Sequence, residues 1–272
     1  MDFPHTPKMP RVITSRGKSI GGEWCVKTMA RFGRNSILVP VFAMKYITKP
    51  TSIPSISFFI ELVQRRNDAL VRLFNRKPSY FRLTSHFFGR LLHLNEHYNY
   101  ANVRTWTRAQ LAEGKDFVNL FEKDKVFIPV HLHQEDHWAM LVIYMGLKEI
   151  HYYDSMAKPG RLYLDGALRY LGDEALDKAA LNGNVRFEAS KWKLFDQEPF
   201  VPQQWNIAGL TDKGKRYHDG FECGPYALNF ADYGSDDLPF DFNEKDMPGV
   251  RERILCAILS GELRYPDTHP DT

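Results

Sequence analysis

The chain has 272 residues, 43% of them hydrophobic and 25% charged, with a net charge of +3, enough apolar content for one sizeable catalytic-size core. No apolar run reaches membrane-spanning length, and the start Met1-Asp2-Phe3-Pro4-His5 lacks the basic and apolar regions of a secretory signal. Three cysteines, Cys25, Cys223 and Cys256, are an odd set without metal-type pairing, which argues against a disulfide scaffold or a zinc site and for a reducing nuclear or cytoplasmic compartment.

In chain order, residues 1–50 mix Pro, Gly and basic residues around a short apolar piece, Ile37 to Phe42, and read as an N-terminal extension. Charge is unevenly spread: residues 1–110 carry 18 Lys and Arg against 5 Asp and Glu, residues 111–272 carry 18 against 28. A bipolar surface of this kind can steer a partner protein, although a solvated basic face is the plainer reading and no nucleic-acid motif accompanies it.

Val126 to Leu132 and Ala139 to Tyr144 are rich in β-branched and apolar residues, and Ile150 to Tyr153 follows the turn Met145 to Glu149. These predict three adjacent strands. His137 then begins the middle strand and Asp154 ends the next, so an antiparallel hairpin returns the Asp to the His end. Arg161 to Leu181 predicts a helix with Leu162, Leu164, Leu168, Leu171 and Leu176 on or near its core face. Residues 186–189 and 192–194 read as short strand or loop. Cys223 precedes Gly224-Pro225 and a stretch to Ala231 that predicts a helix with Pro225 in its first turn.

His137, Asp154 and Cys223 supply what a cysteine hydrolase requires. A thiol is mostly protonated at neutral pH, so attack on a carbonyl needs an imidazole to hold the thiolate, and a carboxylate on the far ring nitrogen to orient that imidazole. The dipole and free N–H groups at a helix N-terminus favour a thiolate and can stabilise an oxyanion. Gln204, in Val201 to Asn206, can add a side-chain donor, or can be a surface amide. His131, His133, His151 and His218 compete for the base role, but only His137 has a correctly placed Asp. Trp138 reads as plain core packing, as aromatic residues at strand starts commonly are. Cys25 and Cys256 read as structural, Cys256 because Ile254, Leu255, Ile258 and Leu259 surround it with a core-facing helical pattern.

The strings Phe127 to Leu132, His137 to Met140, Tyr152 to Ser155, Val201 to Asn206 and Glu222 to Pro225 resemble the signature blocks of the Ulp/sentrin-specific cysteine proteases. That family processes and removes SUMO and related ubiquitin-like proteins. Accessory blocks agree: Ser57 to Leu62 resembles the family's early helix, Ser85 to Phe88 a following strand, Val103 to Thr107 its "Val-x-x-Trp" segment, and Asp246 to Ile254 its closing helix.

The resemblance implies an α+β, papain-like fold of Ulp type with a central mixed β-sheet flanked by helices. It implies a catalytic domain over 51–265, a tail over 266–272, and a monomer. His137, Asp154 and Cys223 carry over as the triad, Gln204 as oxyanion donor, and Trp138 as one wall of a tunnel over the substrate's C-terminal Gly-Gly. The partner implied is SUMO, with NEDD8, ubiquitin or docking without cleavage as alternatives, and no metal or organic cofactor. Adenoviral-type proteinases and bacterial acyltransferases share the His, Asp, Cys order. Three departures stand out: Glu222 where the family usually has Asp, an insertion over 207–218 that must loop out, and Pro50-Thr51-Ser52-Ile53 where the family commonly carries a Trp-Leu-Asn-Asp segment.

Overall fold

The computed structural model describes residues 31–32, 35–36, 53–92, 97–107, 117–196, 222–243 and 246–263. Spatial proximity groups the chain into two units, 1–48 and 49–272. In the first, β1 (Arg31–Phe32) pairs antiparallel with β2 (Asn35–Ser36).

The second unit is α+β. It is built on a four-stranded mixed sheet of order β3-β4-β5-β6, with β3 (Lys125–Leu132), β4 (His137–Tyr144) and β5 (Glu149–Tyr153) antiparallel and β6 (Lys193–Asp196) parallel to β5. The three expected strands are present, and 193–196 forms the strand that was open between strand and loop. Strand β4 is apolar without alternation because both faces of the sheet are covered. Trp138, Met140 and Val142 join Phe127 and Tyr153 in one core; Ala139, Leu141 and Ile143 join Val126, Ile128 and Val130 in another. Pro129 costs no ladder bond on the outer strand β3, whose free edge is partly closed by a parallel bridge from Tyr80 to Val126.

Helix α1 (Ile53–Phe74) buries Ile56, Phe59, Ile60 and Val63, a stripe at 3- and 4-residue spacing, against α4 (Cys223–Ser235) and α5 (Met247–Ser260). Arg66 joins α1 to α4 through ion pairs with Asp232 at 2.6 Å and Asp236 at 2.8 Å.

Three expectations are corrected. Ser85 to Phe88, expected as strand, instead leads into a short helix α2 (Phe87–Leu91). There Phe87, Phe88 and Leu91 share a buried face, and Phe87 meets Trp106 and Tyr170 edge-on. Helix α3 (Arg161–Asp177) ends before Leu181, and Leu162 and Leu176 are 40% and 80% exposed. At 3.6 residues per turn they fall well off the stripe Leu164, Ala167, Leu171 and Ala175 that faces the sheet. Cys256 is exposed, because the packed stripe of α5 is Met247, Val250, Ile254 and Ala257.

Candidate active site

The turn between β3 and β4 places the histidine. Residues 133–135 form a single 3-10 turn, and Asp136 takes the left-handed backbone conformation (φ 45°) that Asp tolerates better than most residues, redirecting the chain into β4 at His137. Met140 pairs with Tyr153 across the β4–β5 ladder, so continuation of β5 by one residue sets Asp154 opposite Ala139. His137 is then its diagonal same-face neighbour. The Nε2 of His137 and Oδ2 of Asp154 are 2.8 Å apart, with His137 2% exposed and Asp154 fully buried. The hairpin geometry expected from the chain is what brings them together.

Asp154 is held by more than the histidine. The Met156 N–H donates to Oδ1 at 2.7 Å, and the Tyr152 hydroxyl donates to Oδ2 at 3.3 Å. Neither donor was found from the residue pattern. Period two along the strand carried the signal for Tyr152, which lies two residues before Asp154 on the same face.

Cys223 is the first residue of α4, buried and free, within the core that contains Trp138. The first N–H groups of a helix have no intrahelical acceptor, and Pro225 removes one of them, leaving those of Cys223 and Gly224 directed at the thiol's end of the helix. With Nε2 engaged by Asp154, the other ring nitrogen of His137 serves the Cys223 side.

Burial lowers the affinity of His137 for a proton, but its hydrogen bonds to Asp154 and to Cys223, and their charges, outweigh burial and raise its pKa to about 9. The imidazole is therefore charged below that value and neutral above it. A reaction needing the imidazolium as proton donor is expected to lose kcat/KM as pH rises through about 9, giving a descending alkaline limb. A limb near the ordinary histidine value would show that the Asp154 and Cys223 contacts do not persist in solution.

The competing histidines have other surroundings. His131 stacks on Trp138 with ring centroids 4.2 Å apart and touches His133, and its pKa is lowered by burial and then by the His133 charge. His151 bonds Glu149 at 3.1 Å and stacks on Phe195. Trp138 itself is 1% exposed, so its ring is a core element in this conformation. Gln204, His218, Cys25 and the insertion over 207–218 lie outside the described residues. Among the described residues, no group of three or more His, Cys, Asp or Glu is placed to hold a metal ion, and no helix is long and apolar enough to cross a membrane.

Residues 56–259 match the profile of the Ulp1 protease family, C-terminal catalytic domain. Sentrin-specific protease 2 of Pongo abelii is 28% identical over 209 residues, covering 76% of this chain and 29% of that protein. Ubiquitin-like-specific protease 1A of Arabidopsis thaliana is 31% identical over 190 residues, covering 68% and 33%. The chain thus spans about a third or less of the length of these curated relatives. The fold is shared with the C-terminal Ulp1 protease domain solved in complex with Smt3, the yeast ortholog of SUMO, with a TM-score of 0.56, 22% identity and coverage of 84% of this chain and 85% of that one. A Ulp1-like SUMO protease catalytic domain from Chaetomium thermophilum has a TM-score of 0.54 at 20% identity, covering 81% and 76%.

Proposed function

This chain belongs to the Ulp1 protease family, and on that premise we propose that it is a thiol protease and isopeptidase cleaving after the C-terminal Gly-Gly of a ubiquitin-like modifier, SUMO in particular. The observation that carries the reading is the buried His137–Asp154 pair at 2.8 Å set beside Cys223 at the start of α4. The curated relatives named for sentrin- and ubiquitin-like-specific cleavage support the choice of substrate class.

In the proposed reaction the Cys223 thiolate attacks the carbonyl carbon of the terminal glycine, and the carbonyl π electrons move to oxygen. Backbone N–H groups at the start of α4, with the Gln204 amide, receive the developing charge. His137 gives its proton to the leaving amine as the C–N bond breaks, while Asp154 keeps the ring oriented. Water, deprotonated by the now neutral His137, hydrolyses the thioester and restores Cys223. No metal or organic cofactor enters this scheme, and a free thiolate nucleophile suits a reducing nuclear or cytoplasmic compartment. Trp138 acts as a tunnel wall if substrate binding uncovers its ring; a strip that admits only glycine would supply specificity by steric exclusion.

The test is incubation of the full chain with SUMO, NEDD8 and ubiquitin bearing C-terminal electrophilic traps. Covalent labelling of Cys223 by the SUMO trap alone is the expected result. Labelling by NEDD8 or ubiquitin instead would move the substrate, and labelling by none of them would sink the protease reading.

A further inference from the structure

The Asp154 carboxylate is approached on its Oδ2 by two donors, the His137 ring and the Tyr152 hydroxyl. The proposed reaction uses the first and has no chemical use for the second. We propose that Tyr152 is a positioning residue, whose hydroxyl, fixed by the packing of its ring against Gly160 and Tyr163, sets the Asp154 carboxylate in place against His137.

The ring of Tyr152 is fully buried and has little freedom. It stacks on Tyr163 with centroids 5.7 Å apart and planes 6° from parallel. Gly160 lies so close that a Cβ there would sit 2.1 Å from Cδ1 of Tyr152, a separation real atoms do not reach without movement. Gly160 is itself tied down, its N–H lying 3.0 Å from both carboxylate oxygens of Asp196 on β6, the residue registered against Tyr152 in the β5–β6 ladder. The first turn of α3 and strand β6 therefore hold the tyrosine ring, and the ring holds its hydroxyl.

At the carboxylate, the Met156 N–H fixes Oδ1, and the Tyr152 hydroxyl and His137 ring share Oδ2. The Met156 N–H on one oxygen and the Tyr152 hydroxyl and His137 ring on the other together restrain the carboxylate plane, and loss of the hydroxyl removes a restraint from the oxygen that His137 meets. Burial, and then the charges of Asp154 and Tyr163, hold the Tyr152 pKa well above the ordinary tyrosine value, so the hydroxyl remains a donor throughout the working range. Among the described residues, the other titratable groups that act on these side chains include Asp196 and Tyr163 on Tyr152, Cys223 on His137, and Glu135, which feels the His137 charge and is paired with Lys158.

The kinetic consequence rests on the protease reading, but the geometry does not. Tyr152→Phe in the full chain keeps the ring and removes the hydroxyl. Two readouts are taken: the titration of the His137 ring by NMR, and kcat and KM on the modifier that labels Cys223. The sign of the NMR shift separates two roles. A hydroxyl that merely withdrew charge from Oδ2 would, when removed, leave a more negative partner and raise the His137 pKa. A hydroxyl that positions the carboxylate would, when removed, weaken the His137–Asp154 bond and lower the pKa from about 9 toward the ordinary value.

The expected result is a lowered His137 midpoint, with kcat down roughly tenfold or more and KM unchanged, as for a misplaced catalytic group. Gly160→Ala, which forces the ring aside, should lower the midpoint in the same direction and add nothing further in the Tyr152→Phe background. An unmoved or raised His137 midpoint in Tyr152→Phe overturns the proposal. Because the titration needs no turnover, a lowered midpoint in a chain that cleaves no modifier would leave the positioning role standing and overturn the protease reading alone.

Discussion

Replacing Cys223 by Ser is expected to abolish the proposed modifier cleavage, with kcat falling at least about 10⁴-fold while the fold persists, because removal of the proposed nucleophile leaves only positioning and oxyanion stabilisation. The substitution is nearly isosteric in a buried position at the start of α4, so the core around Trp138 and Tyr226 is not opened. A serine hydroxyl is far less acidic than a thiol and does not form a stable anion beside His137. Single-turnover cleavage and trap labelling, each read on native and variant chains, measure the effect. Retention of more than about a hundredth of native kcat would assign the chemistry to a group other than Cys223.

Asp154→Asn is expected to cost kcat about 10²- to 10⁴-fold while leaving KM near its native value. The carboxylate accepts from the His137 ring, the Tyr152 hydroxyl and the Met156 N–H, so every one of these contacts needs an acceptor. A carboxamide has one acceptor oxygen. Its NH₂ group must face either the Met156 N–H or the Tyr152 and His137 side, opposing donor to donor, and if it faces His137 the ring adopts the wrong tautomer. The site is fully buried, so an unsatisfied donor costs about 1–3 kcal/mol of stability as well. Thermal unfolding separates that loss from the kinetic one. Native kcat in Asp154→Asn would show that His137 needs no orienting anion.

Much of the fold was legible in the residues. The uninterrupted apolar runs of β3 and β4 read as strands because a sheet covered on both faces needs no alternation. The helix beginning at Cys223 was readable from Gly224-Pro225, since proline is accommodated in a first turn and kinks or breaks a helix further in. Ser85 to Phe88 was expected as strand from its likeness to a family block, and a segment this short has no period of its own to correct that expectation; Phe87 instead packs on Trp106 and Tyr170 within a short helix. Leu162, Leu176 and Cys256 were assigned inward from apolar or neighbouring character, whereas helix phase decides which stripe meets the sheet.

Composition, residue order and strand periodicity by themselves determined the strand hairpin, the return of Asp154 to His137, the placement of Cys223 at a helix start, and the resemblance to a family. These depend on interactions between residues close in the chain or on chemistry intrinsic to each side chain. Only the tertiary structure decided that the Tyr152 ring is held against Tyr163 and Gly160, and that Gly160 is held in turn by Asp196 of β6. Those outcomes depend on how α3, β5 and β6 come together, where close packing over long chain separations sets distances that no local pattern carries.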